Sequence, residues 1–374
     1  MIAKRIGLIA FGLALALAVA AYAGPRSGML MLVGLGLGLT MEALGFGFAG
    51  PWRTIVTERD GRGMLAQLIA IGLLAIIAIP LLATNPGELI GAHAPVGLGM
   101  ILGAFVFGLC MQLVLGCGSG TLVNAGSGNL IGALALITFV VGSFLGTLHI
   151  GWWTSLGSLP VLTIQGLAGT LGGVLLTLAG LLLVGLLVVL RAEPGKRRPS
   201  DRLLIAAVLI AGLALLNLLI AGQPWGIVYG LGLWGAKLAQ AAGMDVAATA
   251  FWSAPANAER LAASLLLDVT TLTNLGLITG AFLVMRWRAE PAPQVGAMRR
   301  ESFLYILLAG LILGYSSRIA FGCNVGGFFS GVATGSLHGW AWLAAGFTGS
   351  LIGLRLRGRV LLPALPPTPV PRPA

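Results

Sequence analysis

Charge is what this sequence has least of. Only 9% of its 374 residues are Asp, Glu, Lys or Arg, against about 25% in an ordinary soluble domain. With 57% hydrophobic residues and a mean hydropathy of +0.99, the chain cannot present a water-compatible surface and reads as a polytopic membrane protein. Cysteine is scarce as well. Three cysteines are too few for a disulfide scaffold, and the absence of CxxC, HExxH or paired Cys/His spacing excludes zinc and thioredoxin-like sites. No metal and no cofactor is expected. No glycine-rich nucleotide loop is present, so ATP-driven work would need another chain. The formal net charge of +11 does not point to nucleic acid, because Lys and Arg gather at the ends of apolar runs instead of along one periodic face.

What is abundant is long apolar sequence. Runs of the length that crosses a bilayer cover 7–23, 28–46, 63–84, 97–116, 129–150, 167–190, 202–221, 262–285, 303–321 and 337–354. Shorter pieces at 48–57, 118–127, 226–243 and 325–334 are interrupted by glycine and proline and read as half-helices. The fold class is therefore all-α, with about nine to ten spanning helices plus short re-entrant half-helices. Polar connections begin at Arg53, Arg191 and Arg286, and a Pro-rich tail follows Arg355, Arg357 and Arg359. By the Lys/Arg rule all of these face the cytoplasm. Residues 1–27 form either a first spanning helix or a signal-like segment, with Ala21-Tyr22-Ala23 resembling a cleavage site.

Two of the three cysteines sit in matching glycine-rich breaks, "LGCGSGTLVNAGSG" from Leu115 and "FGCNVGGFFSG" from Phe321. An offset of 206 pairs Cys117 with Cys323, Gly108 with Gly314, Gly116 with Gly322 and Gly120 with Gly326. One inserted residue later, "GNLIG" at 128–132 falls on "GSLHG" at 335–339. The chain thus divides into pseudo-symmetric halves, 28–190 and 203–357, joined by a basic loop over 191–202 and followed by the tail 358–374. Interrupted helices at equivalent places in two repeats mark a substrate site at the repeat interface. The plainer alternative is that the glycines, among them Gly118, only let helices pack closely.

Non-helical backbone survives in hydrocarbon only where protein or a water-filled cavity surrounds it, so these breaks predict a cavity or pore. Beyond each cysteine a short helix starts, with free N–H groups near Ser119 and Gly120 in one copy and near Asn324 and Gly326 in the other. Such starts attract anions. A thiol there is a polarizable weak donor and acceptor suited to a soft, sulfur-containing anion, or else a small buried hydrophobe. Cys110 reads better as a hydrophobe, since its repeat mate is Ser316. It lies seven residues before Cys117, roughly 10.5 Å along a continuous helix, and alternatively lines the approach to the site.

Ionisable residues inside apolar runs are costly and invite a functional reading. Arg318, five residues before Cys323 with neutral Gln112 as its mate, supplies either the cation of an anion path or one half of a structural pair. Lys237 and Asp268 are expected to pair with each other, and Glu42 and Arg53 to form a local pair. His149 reads as interfacial and His338 as a packed, hydrogen-bonded imidazole. Trp152, Trp153, Trp340 and Trp342 read as interface anchors.

Four stretches carry a resemblance: "GLCMQLVLGCGSGTL" at 108–122, "QPWGIVYGLGLWGAKLAQ" at 223–240, "LLLDVTTLTNLGLITGAFL" at 265–283, and the long block from Phe321 to Arg357. The chain resembles the bacterial YeeE/YedE sulfur-transport family over about 28–357. The resemblance implies a multi-pass inner-membrane protein of pseudo-symmetric halves that takes up thiosulfate or a related anion. It further implies a path along which cysteine thiols, here Cys117 and Cys323, pass the anion. A TusA-like sulfur carrier as cytoplasmic partner is implied by the same resemblance. The sequence departs from the family pattern at "GFGFAGPWR", where Gly47 stands at a usual cysteine position. The expected function is a permease for a small sulfur-containing anion and not an enzyme. The alternatives are a membrane thiol enzyme relaying sulfane sulfur or electrons to a soluble carrier, and a membrane scaffold for a partner.

Overall fold

The computed structural model describes residues 2–288 and 300–360. Residues 361–374 of the expected tail and 289–299 of the third polar connection lie outside the described residues. Within them the chain is helical: α1 (Ile2–Ala23), α2 (Pro25–Leu44), α3 (Ala49–Thr57), α4 (Arg62–Thr84), α5 (Leu98–Leu113), α6 (Gly118–Gly126), α7 (Leu130–Ser155), α8 (Ile164–Arg191), α9 (Asp201–Ala221), α10 (Val228–Ala241), α11 (Pro255–Ala262), α12 (Val269–Arg288), α13 (Arg300–Ile319), α14 (Ser330–Ala333) and α15 (Leu337–Val360). A π turn, Asn324–Phe329, leads into α14.

The helix starts follow from residue chemistry. Gly24 takes φ 88° and hands over to Pro25 at the first position of α2. Asn129 accepts from the Ile131 and Gly132 amides at 2.9 and 3.4 Å to start α7, and Thr163 accepts from Gly166 at 3.1 Å to start α8. Such caps satisfy amides that hydrocarbon cannot hydrate. Nine helices among the described residues are long and apolar enough to cross a membrane, so the chain is a multi-pass membrane protein. The span expected over 262–285 starts later, at Val269. Its first apolar residues belong to α11 and to a turn that Ser264 caps at 3.3 Å. Asp268 then opens α12 by accepting from the Thr271 amide at 2.7 Å.

Backbone contacts sort the loops into two ends. At one end Gly61 and Glu193 bond Lys196 and Arg59 carbonyls at 3.1 and 3.0 Å, and Arg288 and Arg202 both donate to the Ala43 carbonyl. At the other, Arg26 donates to Ile220 at 2.7 Å, Ile90 to Gly222 at 2.9 Å, Leu159 to Val96 at 2.8 Å and Ile164 to Gly335 at 2.7 Å. Among the described residues the first end carries most of the Lys and Arg side chains.

Packing recurs at the repeat offset. α5 packs along α15 as α13 packs along α7; α2 packs along α12 and α9 along α4, pairs that the offset does not relate. Gly108 faces the Gly346 carbonyl while Gly314 faces that of Phe139. Gly142 and Gly349 face the carbonyls of Leu311 and Phe105 in the same way. At each a Cβ would collide with backbone, so the helices touch at glycine faces, as membrane bundles require.

Candidate functional site

The breaks share one backbone solution. Leu115 and Phe321 take left-handed φ of 61° and 56°, a conformation costing a bulky residue about 1–3 kcal/mol. Cys117 and Cys323 then take extended backbone, with φ/ψ of −81/−168° and −90/−168°. Gly116 and Gly322 bond back to Met111 and Ser317 at 3.1 and 2.9 Å, and the cysteine carbonyls accept from Thr121 and Gly327 at 2.8 and 2.7 Å. The copies differ beyond this point. α6 is a regular helix, whereas the second copy makes the π turn Asn324–Phe329. A π turn accommodates one extra residue, which is where the repeat offset changes from 206 to 207.

Both breaks meet inside the protein. A Cβ on Gly118 would lie 2.8 Å from Cys323 Sγ and 3.4 Å from Ile227 Cγ2, so the missing side chain of Gly118 is the space the second thiol occupies. Cys117 Sγ lies 3.4 Å from Ser119 Oγ. Both thiols are free and fully buried. Asn324 is fully buried beside them, and neither atom of its amide has a protein partner among the described residues. Gly120 keeps open space, with only Cys117 Sγ at 3.8 Å from a Cβ there. Cys110 is also buried, within the packed face of α5.

A cavity of about 340 Å³ descends from the less basic end to the second break. Its floor includes Phe321, Gly322 and Gly326, its walls Tyr229, Phe251 and Ile227, and Arg318, His93 and His338 contribute polar groups. Arg318 is 8% exposed, and its Nε and Nη2 have no hydrogen-bond partner among the described residues. Its guanidinium lies over the rings of Phe251 and Tyr229 at 5.0 and 5.4 Å. Aromatic faces balance part of a cation's charge without using its N–H groups. His338 Nδ1 is 2.7 Å from Ser336 Oγ, and Nε2 is unpartnered. His93 Nε2 lies 3.1 Å from the Thr334 carbonyl.

Several expected partnerships are replaced. Lys237 and Asp268 do not pair: Asp268 faces Arg260 at 3.8 Å, because the turn before α12 brings it beside α11. Glu42 accepts from Ser127 Oγ at 2.8 Å and lies 3.7 Å from Arg288, which takes the place expected for Arg53. Trp342 is no interface anchor. It is fully buried, packs on Trp52 and Phe107 at 6.1 and 5.6 Å, and donates to the Gly322 carbonyl at 3.2 Å, bracing the break. His93, Tyr229 and Phe251 were not singled out by sequence. They come from loops and a half-helix whose local pattern carries no sign of a shared cavity. Among the described residues no group of three or more His, Cys, Asp and Glu side chains is placed to hold a metal.

Comparison with known proteins places this geometry in context. A family model described as sulphur transport matches residues 45–352. The probable transporter YedE of Escherichia coli strain K12 is 29% identical over 152 residues, covering 40% of this chain and 37% of that protein. The thiosulfate transporter TsuA of Spirochaeta thermophila is 27% identical over 265 residues, covering 65% of this chain and 72% of that protein. The chain spans about a third of the length of the YedE relatives it matches, 37% and 33%.

Proposed function

Because the chain belongs to the sulphur-transport family, we propose that it is a permease for a small sulfur-containing anion, thiosulfate-like, in a bacterial inner membrane. The observation that carries this reading is a buried, unbonded guanidinium at Arg318, in a cavity ending on the helix break that holds Cys323. Stripping a small anion of water costs several kcal/mol even after relaxation. Arg318, the turn amides beyond each cysteine and the unpartnered Asn324 amide offset that cost. Weakly polar thiols at Cys323 and Cys117 then hold the anion loosely enough to let it move on.

The path runs from the cavity past Cys323 to Gly118 and Cys117, with Ser119, Gly120 and Gly326 keeping it polar and open. Residues 28–190 and 203–357 act as two pseudo-symmetric halves meeting at this path, a reading supported by the matched breaks and glycine contacts. Cys110 shapes α5 and takes no part. The missing thiol at Gly47 is tolerated, since the path still has two. A Cβ there would meet nothing within 4 Å, so a cysteine has room. The Lys/Arg-rich end is cytoplasmic, and a TusA-like sulfur carrier as partner there is proposed from the family resemblance. The thiol-enzyme reading is less well supported, because a relay needs a reachable thiolate and both thiols are buried.

The test is thiosulfate uptake by cells lacking their own uptake system and expressing the chain, Cys117→Ala or Cys323→Ala, at matched membrane levels. Uptake by the wild type and loss in both variants is expected. No uptake by a well-expressed wild type sinks thiosulfate as substrate.

A further inference from the structure

The two breaks share one backbone turn, but the ionisable residues around them do not repeat. Arg318 answers Gln112, and His338 answers Ile131, each at the repeat offset. Both departures line the same cavity, at one end of the path. The neutral mate is fully used by the protein: Gln112 Nε2 donates to Ser350 Oγ at 2.8 Å and to the Ala49 carbonyl at 3.3 Å. Ser143, the mate of Ser350, donates instead to the Val228 carbonyl at 3.2 Å. Arg318 is left with two unbonded nitrogens.

Room for it has been made on purpose-built terms. A Cβ at Gly232 would lie 2.6 Å from Arg318 Nη2, and one at Gly146 would lie 2.7 Å from Arg318 Cβ. The nearby carboxylate is engaged elsewhere. Asp268 accepts from the Thr271 amide at 2.7 Å and faces Arg260 at 3.8 Å, and Arg260 lies 4.8 Å from the Tyr229 ring. In the tautomer in which Ser336 donates to Nδ1, His338 Nε2 carries a proton and is a third unused donor. Among the described residues none of these three donors has a protein acceptor.

Resting on the transport reading above, we propose that this cavity is a capture station for the oxygen-bearing end of the anion. Arg318 is its specificity-determining residue, and the equivalent inner position is a neutral release side. Recognition therefore precedes the thiols and does not depend on them. The path is polar: the anion is bound by charge-assisted bonds at the outer end and meets only satisfied or apolar groups at the inner equivalent.

The test is the concentration dependence of thiosulfate uptake in cells expressing wild type, Arg318→Gln or Arg318→Lys. Gln is chosen because the scaffold already accepts it at the mate position. Loss of a charged hydrogen-bonding group should raise the half-saturating concentration about tenfold or more, with the maximal rate within about twofold; Lys should fall between. An unchanged half-saturating concentration in Arg318→Gln, at equal membrane level, overturns the station while leaving transport intact. Should Arg318→Gln fail to accumulate, the wild type decides. Excess sulfate, which offers oxygens without a terminal sulfur, should raise the half-saturating concentration for thiosulfate, and absence of competition overturns the proposal. Thiosulfate binding to the purified full chain that is lost in Arg318→Gln, with no uptake by the wild type, would retain the station and sink the transport reading.

Discussion

Gly118 is where one added carbon should be felt most. Its absent Cβ would sit 2.8 Å from Cys323 Sγ and 3.2 Å from Cys323 Cβ, whereas at Gly120 a Cβ meets only Cys117 Sγ at 3.8 Å. Gly118→Ala must push the second thiol aside without disturbing the helices, and a displaced group on a narrow path is costly to function. Uptake at matched membrane level is expected to fall about tenfold, by the sensitivity of positioned groups to small shifts. Gly120→Ala, inside α6, should instead raise thermal stability in detergent, since Ala is favoured over Gly in a helix by about 1 kcal/mol. Equal loss of stability in both would remove Gly118 from the path. At this scale the sequence was most informative where residue type is constrained by neighbours two or three positions away. It offered Cys117, Cys323 and Arg318 as candidates, and it read Trp342 as an interface anchor, whereas Trp342 is buried and donates to the Gly322 carbonyl 20 residues earlier.

Between elements, glycine faces carry the packing. Because Gly108 and Gly314 press on carbonyls of α15 and α7, Gly108→Ala and Gly314→Ala should each destabilise by about 1–3 kcal/mol, the usual cost of overpacking. Gly212→Ala on α9, where a Cβ meets nothing within 4 Å, should be neutral or mildly stabilising. Melting temperatures of the three purified variants check this, and a Gly212→Ala as unstable as the others would contradict the packing. The long helices were legible because hydrocarbon imposes one requirement, an unbroken apolar run of about 20 residues. The stretch over 262–285 misled for the same reason. "LAASLLL" is apolar enough to span, yet it sits in a turn that folds onto the protein. The π turn at Asn324–Phe329 is written in the sequence only as a single inserted residue, easily taken for a loop difference.

For the molecule as a whole, the two ends differ in charge. Lys196, Arg288 and Arg202 lie together at one end, with Glu88 and Asp268 among the few charges at the other. Impermeant maleimide should label Glu88→Cys in intact cells and Gly195→Cys only after permeabilisation, against a low background because the three native thiols are buried. The reverse pattern would invert the proposed orientation and place the Arg318 cavity on the cytoplasmic side.

Composition and run length by themselves determined that this chain lives in a bilayer and crosses it many times, and they pointed to where its helices break, because lipid penalises every unsatisfied backbone group and leaves little choice. Internal repetition showed which breaks correspond. What only the tertiary structure decided is partnership: that Gly118 makes room for Cys323, that Asp268 answers Arg260, and that Arg318 is left without an acceptor beneath Tyr229 and Phe251. Those contacts join residues from eight to 205 positions apart. Their energies depend on distances that local sequence does not specify.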